Sequence, residues 1–284
     1  MIQIRQAQKE DYPRMKELWQ LAFGDSSAFI DGFFNRVNGE ELFLLLEADA
    51  LCSMMTLIPH QIVTTDGQRW NSGYVYGLAT RPEARGKGSA SMLLRYADTQ
   101  LSRRGCACIT TVPASPELFP FFQASGYEPA FFQTEREFSA PSELPTARWE
   151  ALPPEVYAEK RERFLQGMYS YGSCRGELAA LQHWMSLLSG GNLYELTAES
   201  GSAIAAVELL SDGTALAKEL LSDQDGSAAC DLLAGAVRAP RYRARLVPAD
   251  EAESQSFAFV KYYFDPLRRI LKDSRPLYFG LGLD

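Results

Sequence analysis

Residues 76–90 read YGLATRPEARGKGSA, and they hold the residue types best suited to chemistry in this chain. An apolar strand pattern runs into a turn carrying Gly86 and Gly88, and a helical pattern starts directly after it. That order builds an anion site. The first amides of a helix have no partner inside the helix, and they carry the positive end of its dipole. Glycines let an anion come close to the backbone. Arg85 and Lys87 add two positive charges. The expected chemistry is the holding of a phosphate or pyrophosphate. Other phosphate loops differ in detail. A Walker loop ends in Gly-Lys-Ser/Thr after a longer spacing, which Lys87-Gly88-Ser89 does not supply. A dinucleotide fingerprint needs a third spaced glycine.

Other reactive side chains are few. Tyr74, Tyr76 and Tyr127 are phenols near the glycine turn in sequence, and strand alternation puts Tyr76 on the face of Leu78. His60 follows Pro59 on a long apolar segment. It would serve as a base only if it faced a cleft. The five cysteines, Cys52, Cys106, Cys108, Cys174 and Cys230, form an odd and scattered set, which reads as reduced, buried thiols. The chain has only 2 histidines, and no metal site is expected.

The elements that position these residues follow from hydrophobic period. In the first half the pattern predicts a strand at 2–5, helices at 10–23 and 26–37, and strands at 41–47, 50–65 and 70–80. Asp66-Gly67 marks a hairpin turn between the last two. A helix then runs to about residue 104, followed by a strand at 106–112, a short helix at 116–124 and strand pattern over 127–138. Ser115 and Pro116 suit the start of that short helix. The proline-rich stretch 139–155 reads as a linker. The second half repeats the order: helices at 155–171 and 177–188, strands at 192–198, 203–210 and 214–222, a helix at 227–237, then strands at 242–247, 257–264 and 276–282. Its third strand leads into Asp223 and Asp225 rather than a glycine turn, and two carboxylates there would repel a phosphate.

The string LATRPEARGKGSASMLL is similar to the pyrophosphate-binding motif of GNAT-superfamily acetyltransferases, whose core is Arg/Gln-x-x-Gly-x-Gly/Ala. Arg85, Gly88 and Ala90 fall on its fixed positions, and Gly86, Lys87 and Ser89 on the variable ones. LFPFFQASGYEPA resembles the family's fourth helix and its exit. The resemblance implies a GNAT fold: a mixed, mostly antiparallel central sheet flanked by helices. It implies that 85–90 hold the pyrophosphate of acetyl-CoA. It also implies that Leu78, Ala79 and Thr80 pair with the pantetheine arm and polarise the thioester carbonyl. The tandem layout resembles the first two domains of enhanced-intracellular-survival-type acetyltransferases. The expected division is a GNAT domain at 1–138, a linker at 139–155, and a degenerate second copy at 156–284. By the same resemblance the terminal carboxylate of Asp284 reaches the active site. The chain departs from the family at two positions. Phe122 stands where an acidic tyrosine is usual, and Ser115 where an asparagine is frequent.

Composition agrees with a globular protein. Of 284 residues 46% are hydrophobic and 23% charged, enough apolar material for a sizeable core. Net charge is −8, which speaks against nucleic acid or anionic membrane as partner and is compatible with an amine. The amino-terminal residues carry no apolar signal segment, so a cytoplasmic protein is expected; the resemblance implies an enzyme acting on a small-molecule or peptide amine, possible as a homo-oligomer.

Overall fold

The computed structural model of the chain describes residues 1–37, 41–143, 145–249, 254–274 and 277–283. The apolar runs form β1 (Ile2–Gln6), β2 (Leu42–Glu47), β3 (Ala50–Val63), β4 (Arg69–Thr80) and β5 (Cys108–Thr111). The helical repeats form α1 (Tyr12–Phe23), α2 (Ser27–Phe34), α3 (Ser89–Arg103) and α4 (Phe119–Ala124). Then come β6 (Glu128–Phe138), β7 (Arg148–Ala151), α5 (Pro154–Leu165), β8 (Ser170–Gly172) and α6 (Glu177–Leu188). The chain continues with β9 (Asn192–Ala198), β10 (Gly201–Leu209), β11 (Ala215–Ser222), α7 (Gly226–Ala236) and β12 (Tyr242–Leu246). It ends in β13 (Gln255–Tyr262), α8 (Asp265–Asp273) and β14 (Leu277–Tyr278). No helix among the described residues is long and apolar enough to cross a membrane.

The elements gather into two units, and neither is contiguous in sequence. The first holds Met1–Gln61, Trp70–Glu128 and Phe259–Leu267. The second holds Ile62–Arg69, Pro129–Ala258 and Arg268–Asp284. A single cut within 139–155 therefore does not separate them. That stretch also contains β7, so it is not plain linker.

In the first unit β1, β2 and β3 are antiparallel neighbours. β4 lies beside β5 in parallel, and β5 pairs antiparallel with the end of β13. The closing strand of this sheet thus comes from residues far along the chain. One face is covered by α3, whose Leu93, Leu94, Ala97 and Leu101 pack against Phe43, Leu57, Val75 and Ile109. Spacing of three to four residues on α3 gives that apolar stripe. A second cluster is aromatic: the Trp19 ring lies 4.9 Å from Phe33 and 5.7 Å from Tyr76. Asp11 fixes the start of α1. Its carboxylate accepts from Arg5 and Arg14 and from the Gln8 amide at 2.7 Å. These bonds, the Arg5 bond foremost, hold its pKa far below the usual carboxylate range.

In the second unit β9, β10 and β11 form an antiparallel meander, followed by α7 and by β12, which is parallel to β11. β6 pairs antiparallel with β12. In the core of this unit Arg161 and Glu219 are fully buried, with Arg161 Nε donating to both Glu219 oxygens at 3.0 and 2.9 Å. The Arg161 terminal nitrogens donate to the carbonyls of Gly172 at 2.8 Å and Phe279 at 3.0 Å, so one side chain ties together α5, β8, β11 and the tail beyond β14. Burial pushes the neighbouring Cys174 thiol up to about 12, which keeps it protonated.

Candidate active site

β4 and β5 pair only from Ser72 with Cys108 to Val75 with Thr111. β5 ends there, whereas β4 continues to Thr80. Just past the last pair Gly77 takes φ 61, a left-handed conformation in mid-strand, and a Cβ on it would sit 2.8 Å from the Trp19 ring. A residue of this kind kinks a strand and interrupts its alternation. The kink and the early end of β5 leave a gap along Leu78, Ala79 and Thr80. Ser53 secures the end of β4: its hydroxyl donates to the Ala79 carbonyl at 2.7 Å and lies 2.9 Å from Thr80 Oγ1.

Gly77→Ala is expected to destabilise the protein by about 2–5 kcal/mol, from a strained φ and an overpacked ring. Urea unfolding checks this. A change below about 1 kcal/mol would show that the strand does not need the kink.

After Thr80 the chain makes a 3-10 turn at Pro82–Ala84, passes Arg85, and turns through Gly86 (φ 73) and Gly88 (φ 84) into α3. Arg85 Nε donates to the Thr80 carbonyl at 3.2 Å, which folds the loop back on the strand end. Gly88 caps α3 without a side-chain hydrogen bond, so the start of a 15-residue helix carries no side-chain cap and could accept an anion. A Cβ on Gly86 or Gly88 would meet nothing within 4 Å, so the space beside the loop is open. Neither Arg85 nor Lys87 pairs with a carboxylate among the described residues.

Strand edge and loop together border a groove of 690 Å³. Leu78, Ala79, Thr80, Arg85, Gly86, Gly88, Ser89 and Ala90 all line it, and Lys87 is not among the lining residues. The opposite walls are apolar: Ala22 and Phe23 at the end of α1, and Leu118, Phe121 and Phe122 around α4. Apart from Phe122, the sequence pattern did not point to these walls or to Ser53. Gly77 within YVYGLAT was the available signal for the kink. The groove suits a ligand with a polyphosphate end at the helix start and a long arm along the strand edge.

The phenols lie elsewhere. Tyr76 belongs to the aromatic cluster, 5.3 Å from Phe33, and is not among the groove-lining residues. The break at Gly77 interrupts the alternation that would have set it beside Leu78. Tyr127 is buried, its ring 5.5 Å from Phe122, and burial first and Asp98 second raise its pKa well above the ordinary phenol value. His60 is buried, with Nδ1 3.5 Å from Thr110 Oγ1. Burial pushes the Cys108 thiol up to about 12. Phe122 lines the groove at the position where the resemblance implies a tyrosine, and its ring has no proton to donate. Asp284 lies outside the described residues.

In the second unit the turn from β11 into α7 is closed. Asp225 caps α7, its carboxylate accepting from the amides of Ser227 at 2.8 Å and Ala228 at 3.0 Å. These amides are already occupied by a fixed negative charge. Asp223 is likewise engaged by Ser202.

Residues 3–130 match the family model described as acetyltransferase (GNAT) domain. The fold recurs in solved structures. A GCN5-related N-acetyltransferase from Anabaena variabilis aligns at TM-score 0.70 and 15% identity over 92% of this chain and 72% of its own. A GCN5-related N-acetyltransferase from Kribbella flavida gives 0.67 and 15% over 94% and 73%. Eis1 from Mycobacterium abscessus gives 0.65 and 12% over 92% and 73%. None of the curated proteins matches the chain.

Proposed function

We propose that the chain is an N-acetyltransferase that moves the acetyl group of acetyl-CoA to a primary amine. The observation that carries this is the uncapped start of α3 opening onto a groove along the free edge of β4. The amides of Ser89 and Ala90, with Arg85 and Lys87 nearby, would hold the pyrophosphate. Leu78, Ala79 and Thr80 would hold the pantetheine arm. Acetyl-CoA, when bound, supplies an activated acetyl group. The chain's part is to place it, to exclude water with Phe23, Leu118 and Phe121, and to offer a backbone N–H at Leu78 or Ala79 to the carbonyl oxygen as it gains charge. A fixed donor of that kind contributes on the order of 3 kcal/mol. The amine forms the new C–N bond as the C–S bond breaks, and the thiol leaves with a proton. Asp284 and Tyr76 stay in the proposal as groups that would move protons, Asp284 by resemblance and Tyr76 by its place on β4. The second unit is, in this reading, a GNAT-like copy whose anion site is sealed by Asp225.

Phe122 favours a second reading, a CoA-binding regulator that does not catalyse. Thiol release from acetyl-CoA across a panel of amines separates the two. Release that depends on an added amine supports the enzyme. Saturable binding with no release for any amine supports the regulator.

A further inference from the structure

We propose that the outer edge of β7 docks a second copy of this chain about a two-fold axis through Trp149. β7 ends the strand order and pairs with β9 alone. All four of its residues are exposed, on both faces. Trp149 is 58% exposed, and its ring packs edge-on against Tyr194 at 5.4 Å. An exposed edge with a large aromatic residue invites another strand.

The occupant follows from the sequence around it, PTARWEALP over 145–153. An antiparallel pair of identical strands related by a two-fold axis is isologous, so each residue meets its mirror position. With Trp149 on the axis, Arg148 of each copy falls opposite Glu150 of the other, and Ala147 opposite Ala151. Pro145 falls opposite Pro153. Prolines lack the N–H that a ladder needs, so they end the pairing symmetrically at both sides. Moving the axis by one residue, a register shift of two, would set Arg148 against Arg148 or Glu150 against Glu150.

Charges within the chain point the same way. Neither Arg148 nor Glu150 has an ion pair among the described residues. Glu150 stands across the β7–β9 pair from Glu195, a like charge, and Glu195 is held by Lys160 at 2.7 Å. Like charges directly opposed destabilise a sheet pair. Arg148 of a second copy supplies the missing counter-charge.

Sedimentation velocity of the full chain over a concentration series tests this. The wild type is expected to form a dimer. Arg148→Glu and Glu150→Arg each create two like-charge pairs, and each should raise the dimer Kd by about tenfold or more. The double variant, with both charges reversed, should return to within about threefold of the wild type. These side chains are exposed, so the thermal midpoint of each variant should stay near that of the wild type. A monomeric wild type at every concentration overturns the proposal. So does a dimer indifferent to the single reversals, or one that the double variant fails to restore.

Discussion

Gly88→Glu is expected to lose acetyl-CoA binding by at least about a hundredfold while the protein stays folded. The argument rests on where the carboxylate would go. A Cβ at Gly88 points into open space, so no clash with the chain follows. The added charge lies at the helix start, where the pyrophosphate is proposed to sit. Two unit charges about 4 Å apart near a protein surface repel by about 4 kcal/mol, less when salt screens them. Strain is a separate effect, because φ at Gly88 is 84 and a side chain there costs about 1–3 kcal/mol. Gly88→Asn separates the two, since asparagine tolerates the left-handed region and brings no charge. Calorimetric titration should show a modest loss for Gly88→Asn and a near-complete loss for Gly88→Glu. Equal affinities for the two variants would remove the phosphate from this helix start.

Arg161→Leu should destabilise the protein by about 3–5 kcal/mol, because it leaves Glu219 buried without its partner. Both side chains are fully buried. The same change takes the donors from the carbonyls of Gly172 and Phe279, so the tail beyond β14 loses its anchor. Tyr157 still donates to Glu219 at 3.0 Å, which is too little to compensate a buried charge. Replacing both partners with leucine should recover part of the loss, since paired apolar substitutes of a buried ion pair are often near neutral. Urea midpoints of the single and double variants check this. A single variant as stable as the wild type would show that the buried pair is not needed for stability.

Local chemistry was legible in the sequence, and long-range choice was not. The glycine turn between β4 and α3 announces itself because its residues act through their own backbone. Eight of the nine residues expected to hold the cofactor line one groove, because a strand, a turn and a helix start are consecutive in the chain. The far wall was hidden, since Ala22, Phe23 and Leu118 arrive by packing of α1 and the turn before α4. β7 was lost among Pro145, Pro153 and Pro154, which read as linker. α8 was missed although Asp265 and Pro266 suit a helix start and Leu267, Ile270 and Leu271 keep helical spacing. Most hidden was the partner of each closing strand. Hydrophobic alternation shows that β6 and β13 are strands, but does not say that β6 joins β12 or that β13 joins β5.

The open helix start of the first unit and the closed one of the second make the central claim sharp. It is tested most directly by calorimetric titration of the intact chain with acetyl-CoA. One site per chain is predicted, lost in Gly88→Glu, because Asp225 already fills the only comparable turn described. Absence of binding in a folded sample would contradict the account, as would binding that Gly88→Glu leaves intact.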